Sequence, residues 1–213
     1  MLPLRDSHPA GIFPIWVITI IAINTFVFYL QLTSTNPEAF AYVYGLVPRM
    51  VDFSDYNSLL PFITSQFLHG GFLHIISNML FLWVFGDNVE AKLGSFLFPF
   101  FYIASGIAAG ALQFFFSPSS NIPMIGASGA VAGVLGAYLA YFPHHTIKTL
   151  VPFFGFLSVI NVPASFMLIY WFITQLFSGV ATIGIQTADT GGIAFFAHIG
   201  GFAFGWIIAK ILK

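Results

Sequence analysis

The chain has 213 residues, 58% hydrophobic and only 6% charged, with a net charge of −1 and a mean hydropathy of +0.92. Soluble domains average about 25% charged residues, so the composition is that of an integral membrane protein. Six basic residues in all exclude a nucleic-acid partner, and the absence of cysteine excludes disulfides and thiolate metal sites. Nearly every residue is needed to cross lipid, so a single membrane domain over 1–213 is expected.

A hydrocarbon core of about 30 Å takes roughly 20 helical residues, and helices satisfy their own backbone there. The first apolar run, Ile15 to Leu32, is of spanning length and no small-residue cleavage site follows it, so it reads as a span and not as a cleaved signal peptide. A long first loop with Asn36-Pro37, Pro48 and Asp55 leads to a second segment, Phe72 to Phe85. That segment is short and is expected to extend upstream past Phe67 or to tilt. At its far end stand Asp87 and Glu90, the latter expected to cap or to pair with Lys92. Phe96 to Phe116 is the third segment, and Ser117-Pro118-Ser119-Ser120-Asn121 connects it toward the fourth, Ala127 to Phe142. Pro143 to Ile160 is apolar, carries Pro152 and is expected to lie in the membrane interface. Val162 to Val180 and Gly192 to Leu212 complete an all-α bundle of six transmembrane helices.

Basic residues accumulate in cytoplasmic loops. Arg5, Lys92, Lys148, Lys210 and Lys213 fall on one side and Arg49 on the other, which puts both termini in the cytoplasm. The second, fourth and sixth helices then run inward from the external face. His69, His74, Asn78, Ser128 and His198 all come to one depth, His198 roughly 9 Å below the start of its helix. Gly129 and Gly133 on the fourth helix, and Gly201 and Gly205 on the sixth, have the spacing that lets transmembrane backbones approach closely.

A serine hydroxyl becomes nucleophilic when a neutral imidazole can take its proton. Ser128, within Gly126-Ala127-Ser128-Gly129, stands where a helix begins; there it either caps the helix or sits beside free N–H groups able to face an oxyanion. His74 and Asn78 share a helix face as further donors, although an intramembrane Asn also bridges helices and an interfacial His also faces water. Asp189 is expected in the last external loop, and Asp87 and Glu90 at the opposite end, so no carboxylate is placed to orient His198. A Ser128–His198 dyad is therefore favoured over a triad.

The run His69-Gly-Gly-Phe-Leu-His74-Ile-Ile-Ser-Asn78, continuing to Phe85-Gly86 and Glu90, then Gly126-Ala-Ser128-Gly129, then Ala197-His198-Ile-Gly-Gly201-Phe-Ala-Phe-Gly205, resembles the rhomboid family of intramembrane serine proteases. The resemblance implies hydrolysis of peptide bonds in or next to the transmembrane segments of single-pass membrane proteins, without metal or cofactor. It makes Ser128 the nucleophile, His198 the base and acid, and His74, Asn78 and the Ser128 N–H the oxyanion hole, with His69, Gly126, Gly129 and Gly201 in support. Two positions depart from the pattern. Val47-Pro48-Arg49 stands where many relatives have Trp-Arg, and Ala132 where some carry an aromatic four residues after the nucleophile.

A substrate helix would enter from the side. The fifth helix carries none of the candidate residues and can move at little chemical cost, with the first loop and the Thr187–Gly191 loop over the site. Cleavage is expected near the external end of the substrate's span, favoured by Gly or Pro just inside it and a small residue before the cut. A transporter or channel would spread its polar residues through the bilayer depth, and a non-catalytic relative would typically lack Ser128 or His198. The small six-helix plan suggests a bacterial plasma membrane, with an organelle membrane as the alternative.

Overall fold

The structure, a computed structural model, describes residues 2–153, 156–182 and 195–213. Its long apolar runs are helices: α1 (Ile15–Thr33), α5 (Phe72–Leu93), α6 (Phe98–Phe116), α7 (Ser128–Tyr141), α8 (Ala164–Thr182) and α9 (Phe195–Ile211). Of these, α1, α5 and α6 are long and apolar enough to cross a membrane; Ala164–Phe177 of α8, α7 and α9 are shorter apolar helices. Between α1 and α5 the first loop folds into α2 (Pro37–Tyr44) and the single turns α3 (Tyr56–Leu59) and α4 (Pro61–Thr64). The result is a predominantly helical membrane bundle.

Two expectations about the second and fourth loops change. The second span does not lengthen upstream, where Ser65–Phe67 is a 3-10 turn; it continues past Phe85 to Leu93. Asp87 and Glu90 looked like the end of the span because charge is costly in lipid. Glu90 is in fact fully buried and accepts the N–H groups of Trp16 and Val17 at 3.0–3.1 Å. Its carboxylate thus caps the N-terminus of α1, where orphan amides and the helix dipole favour an anion. Lys92 lies over the Tyr141 ring instead. The Pro143–Ile160 stretch is not merely interfacial: Thr146–Phe153 (β2) and Phe156–Pro163 (β3) form an antiparallel hairpin, and Leu2–Asp6 (β1) adds to β2 as a third strand. Ile147, Thr149, Val151, Val159, Ile160 and Val162 supply the β-branched side chains that favour this. Asp6, almost fully buried, then ties β1 to the ends of α5 and α7. It accepts hydrogen bonds from Asn88 Nδ2 at 2.7 Å, from Tyr138 Oη and from the His8 N–H.

α7 is the axis of the bundle. All its residues from Gly129 to Tyr138 are buried. A Cβ on Gly201 would run into the Gly129 carbonyl, and one on Gly205 into the Gly133 carbonyl, so α7 and α9 touch backbone to backbone along both glycine stripes. On its other side α7 meets α6, where a Cβ on Gly129 would stand 2.6 Å from Ala109 Cβ.

Candidate active site

Ser128 is the first residue of α7, and the chain reaches it by a fixed route. Leu46 of the first loop exchanges two backbone hydrogen bonds with Met124, at 2.8 and 3.0 Å, and the Gly126 N–H donates to the Ser65 carbonyl. Gly126 has φ +131°, and a Cβ there would lie 2.7 Å from His74 Nε2, so only glycine serves. Ala127 occupies the N-cap position and no side chain caps α7. The Ser128 hydroxyl is thereby left for another partner: it lies within hydrogen-bond distance of His198 Nε2, at 2.8 Å. The glycine seam holds this pair together, since the hydroxyl and the ring come from the two helices whose backbones it joins.

The serine opens on a cavity of about 620 Å³, lined among others by Gln66, His74, Asn78, Gly126, Trp171 and His198. His74 Nδ1 accepts the Gly70 N–H at 3.2 Å, which leaves the proton on Nε2, the nitrogen facing Gly126 and Ser128. Asn78 is buried, and its Nδ2 has no hydrogen-bond partner among the described residues. The Ser128 N–H, at the first helical position, has no acceptor within the helix. Three donors are thus present around the hydroxyl. Buried donors usually cost about 1–3 kcal/mol when left unmade, so Asn78 is a polar group held ready for something else.

His69 does not reach this cavity. Its peptide group is clamped by Gln31 of α1, whose Nε2 donates to the His69 carbonyl at 2.9 Å and whose Oε1 accepts the His69 N–H at 3.1 Å. The buried ring stands edge-on to His74, centroids 5.1 Å apart, and burial pushes its pKa down. It backs His74 from behind. Gly129 and Gly201 act through the seam. The Thr187–Gly191 loop and Asp189 lie outside the described residues.

The fifth span departs from expectation. The sequence offered no candidate residue on it, yet Gln175 of α8 places Oε1 2.7 Å from His198 Nδ1, and the Trp171 ring lies beside the His198 ring, centroids 5.6 Å apart and tilted by 39°. Trp171 stands against the ring that Ala132, too small and buried in α7, does not support. A search for carboxylates overlooks an amide. The available signal was Thr174-Gln175, a polar pair inside an apolar span, where an uncharged polar group also needs a partner.

Comparison with known proteins agrees with the geometry. Residues 56–213 match the Rhomboid domain family. The chain is 29% identical to mitochondrial Rhomboid protein 1 of Saccharomyces cerevisiae over 97% of its own length and 56% of that protein's. It is 31% identical to RHOMBOID-like protein 4 of Arabidopsis thaliana over 70% of this chain and 33% of that one. Rhomboid protease GluP of Bacillus subtilis is 44% identical over 77 residues, 36% of this chain and 15% of GluP. The chain therefore spans about half the length, or less, of these curated relatives. With a matched domain over most of its residues, the chain belongs to the rhomboid family.

Proposed function

We propose that this protein is an intramembrane serine endopeptidase that hydrolyses peptide bonds in or next to the transmembrane segments of single-pass proteins. The observation that carries the reading is the 2.8 Å contact between Ser128 Oγ and His198 Nε2 in a cavity containing unused hydrogen-bond donors. His198 takes the hydroxyl proton as Ser128 Oγ attacks the scissile carbonyl carbon. The carbonyl oxygen becomes an oxyanion facing Asn78 Nδ2, His74 Nε2–H and the Ser128 N–H. Collapse of the tetrahedral adduct breaks the C–N bond, and His198 returns the proton to the leaving amine. Water, deprotonated by the same imidazole, then hydrolyses the acyl-serine. Every group required is a side chain or amide of this chain.

The depth of the site fits a substrate in lipid. α7 has 14 residues, about 21 Å of helix, within a hydrocarbon core of about 30 Å. Ser128 then lies roughly 9 Å inside one face, and the distribution of Lys and Arg makes that face external and the termini cytoplasmic. A peptide bond at this depth reaches the serine only where the substrate helix unwinds, hence the expectation of Gly or Pro just inside the cut.

The test is to incubate the purified protein in bilayers with a panel of single-pass reporters and with a fluorophosphonate probe, beside Ser128→Ala. Labelling and cleavage near the external end of the span are expected for the wild type alone. Cleavage undiminished in Ser128→Ala, or mapped to the cytoplasmic end, would sink the assignment.

A further inference from the structure

We infer that Gln175 is a positioning residue for His198, and that through it the readiness of the base depends on α8 being closed against α9; this rests on the Ser128–His198 hydrolysis proposed above. A histidine that accepts from serine at Nε2 must carry its proton on Nδ1, and something must hold that tautomer and ring orientation. Serine hydrolases commonly use a carboxylate. Here the acceptor is an amide oxygen, Gln175 Oε1, 2.7 Å from Nδ1. The orientation of the amide is itself fixed: its Nε2 faces Thr174 Oγ1 at 3.5 Å, and that hydroxyl donates to the Trp171 carbonyl at 2.6 Å. Carbonyl oxygen toward Nδ1 is the arrangement that leaves the Nε2 lone pair for Ser128.

Both supports of the ring, Gln175 and Trp171, come from the part of α8 above its buried foot. Among the described side chains of α8, Ala164 to Phe177, the buried ones are Ala164, Met167 and Leu168, all near its foot beside β3. From Ile169 to Phe177 none is fully buried, and Ile169, Tyr170, Ile173, Leu176 and Phe177 are exposed. A helix buried at its foot and partly or fully exposed from Ile169 to Phe177 can tilt about that foot. Gln175 lies roughly 16 Å along the axis from Ala164, so a tilt of about 10° carries it roughly 3 Å, enough to break the bond to His198. Opening α8 to admit a substrate helix unhooks the base, and closing it restores the tautomer. The histidine is thus competent when the cavity is shut, and idle when it stands open to lipid.

The experiment compares wild type, Gln175→Leu, Gln175→Glu and Ser128→Ala in bilayers. It measures the rate of fluorophosphonate labelling against pH, kcat and KM on a single-pass reporter, and the 15N spectrum of the histidine rings, with His198 assigned by its own substitution. Gln175→Leu should slow labelling and lower kcat by up to about 100-fold, the lower end of what a positioned base contributes, with KM within about twofold. Its His198 should lose the pure Nδ1–H signature. Gln175→Glu keeps the acceptor, so the rate should return toward wild type. The added negative charge favours the imidazolium, and because the neutral ring is the base, the acidic limb should move to higher pH. A wild-type labelling rate and an unchanged ring spectrum in Gln175→Leu would overturn the inference. So would a Gln175→Glu profile with no displaced acidic limb. Should Gln175→Leu not fold, the Gln175→Glu profile and the wild-type tautomer decide alone. If wild type neither labels nor cuts while His198 is an Nδ1–H tautomer lost in Gln175→Leu, the proposed hydrolysis fails and the Gln175–His198 link stands.

Discussion

α7 and α8 are neighbouring helices of the same bundle, and they are packed in opposite ways. α7 is buried over nearly its whole length and is pressed against α9 by glycines that admit no side chain between the backbones. Among the described side chains of α8, three at its foot are buried, and its contacts near the site include the Phe172–Phe202 stack, centroids 4.7 Å apart. The proposed nucleophile, Ser128, rides on the first helix and the proposed support of His198 on the second. In the proposed hydrolysis, close packing suits a hydroxyl that stays within hydrogen-bond reach of its base through every turnover. Loose packing suits an element that must give way to a substrate helix, because free energy spent on burial there would have to be returned at each opening.

The contrast can be broken at four places. Ser128→Ala has the largest effect: loss of the covalent route should reduce cleavage by a factor on the order of 10⁶, to below detection, while the fold survives a change of one oxygen atom. Circular dichroism and fluorophosphonate labelling read the two halves of that statement, and residual labelling would mean another nucleophile. His74→Ala and Asn78→Ala come next, each expected to lower kcat by about 10² to 10³, with the remaining donors sustaining measurable turnover. Total loss at both positions, or indifference at both, would contradict their role as donors to an oxyanion.

Gly201→Val tests the seam. The new side chain meets the Gly129 carbonyl, so the expected destabilisation is at least the 1–3 kcal/mol of an overpacked core, read as a lower thermal midpoint. Ile173→Ala on the exposed face of α8 should stay within about 0.5 kcal/mol of wild type. Equal tolerance at the two positions would remove the distinction between the helices. The smallest effect on activity is expected from Phe172→Ala, which deletes one aromatic pair worth about 0.5–1.5 kcal/mol. With α8 less often seated, Gln175 engages His198 less often, and probe labelling should slow by about 2- to 10-fold. Unaltered labelling would separate the position of α8 from the state of the base.

The six spans were legible from hydropathy because lipid leaves an apolar helix few alternatives. The Ser128, His198, His74 and Asn78 set stood out because polar residues are scarce and costly in such a chain. The glycine stripes could be read because their spacing is a property of one helix at a time. Features that depend on two distant segments were not readable in this way. Glu90 looked like the end of a span because the amides it caps belong to α1, more than seventy residues away in sequence. The β-hairpin looked like an interfacial stretch, because only its pairing with β1 at the other end of the chain completes the sheet.

The sequence by itself determined the solvent this chain folds in, the number of its spans and which few side chains have chemistry to offer. Those follow from composition and local periodicity, whose energetic consequences in lipid are large. Tertiary structure decided which groups flank the two ring nitrogens of His198 and which helix brings the amide to Nδ1. A tautomer is set by a single acceptor arriving from elsewhere, and Gln175 meets His198 only because α8 folds back against α9 across residues that share no local pattern with it.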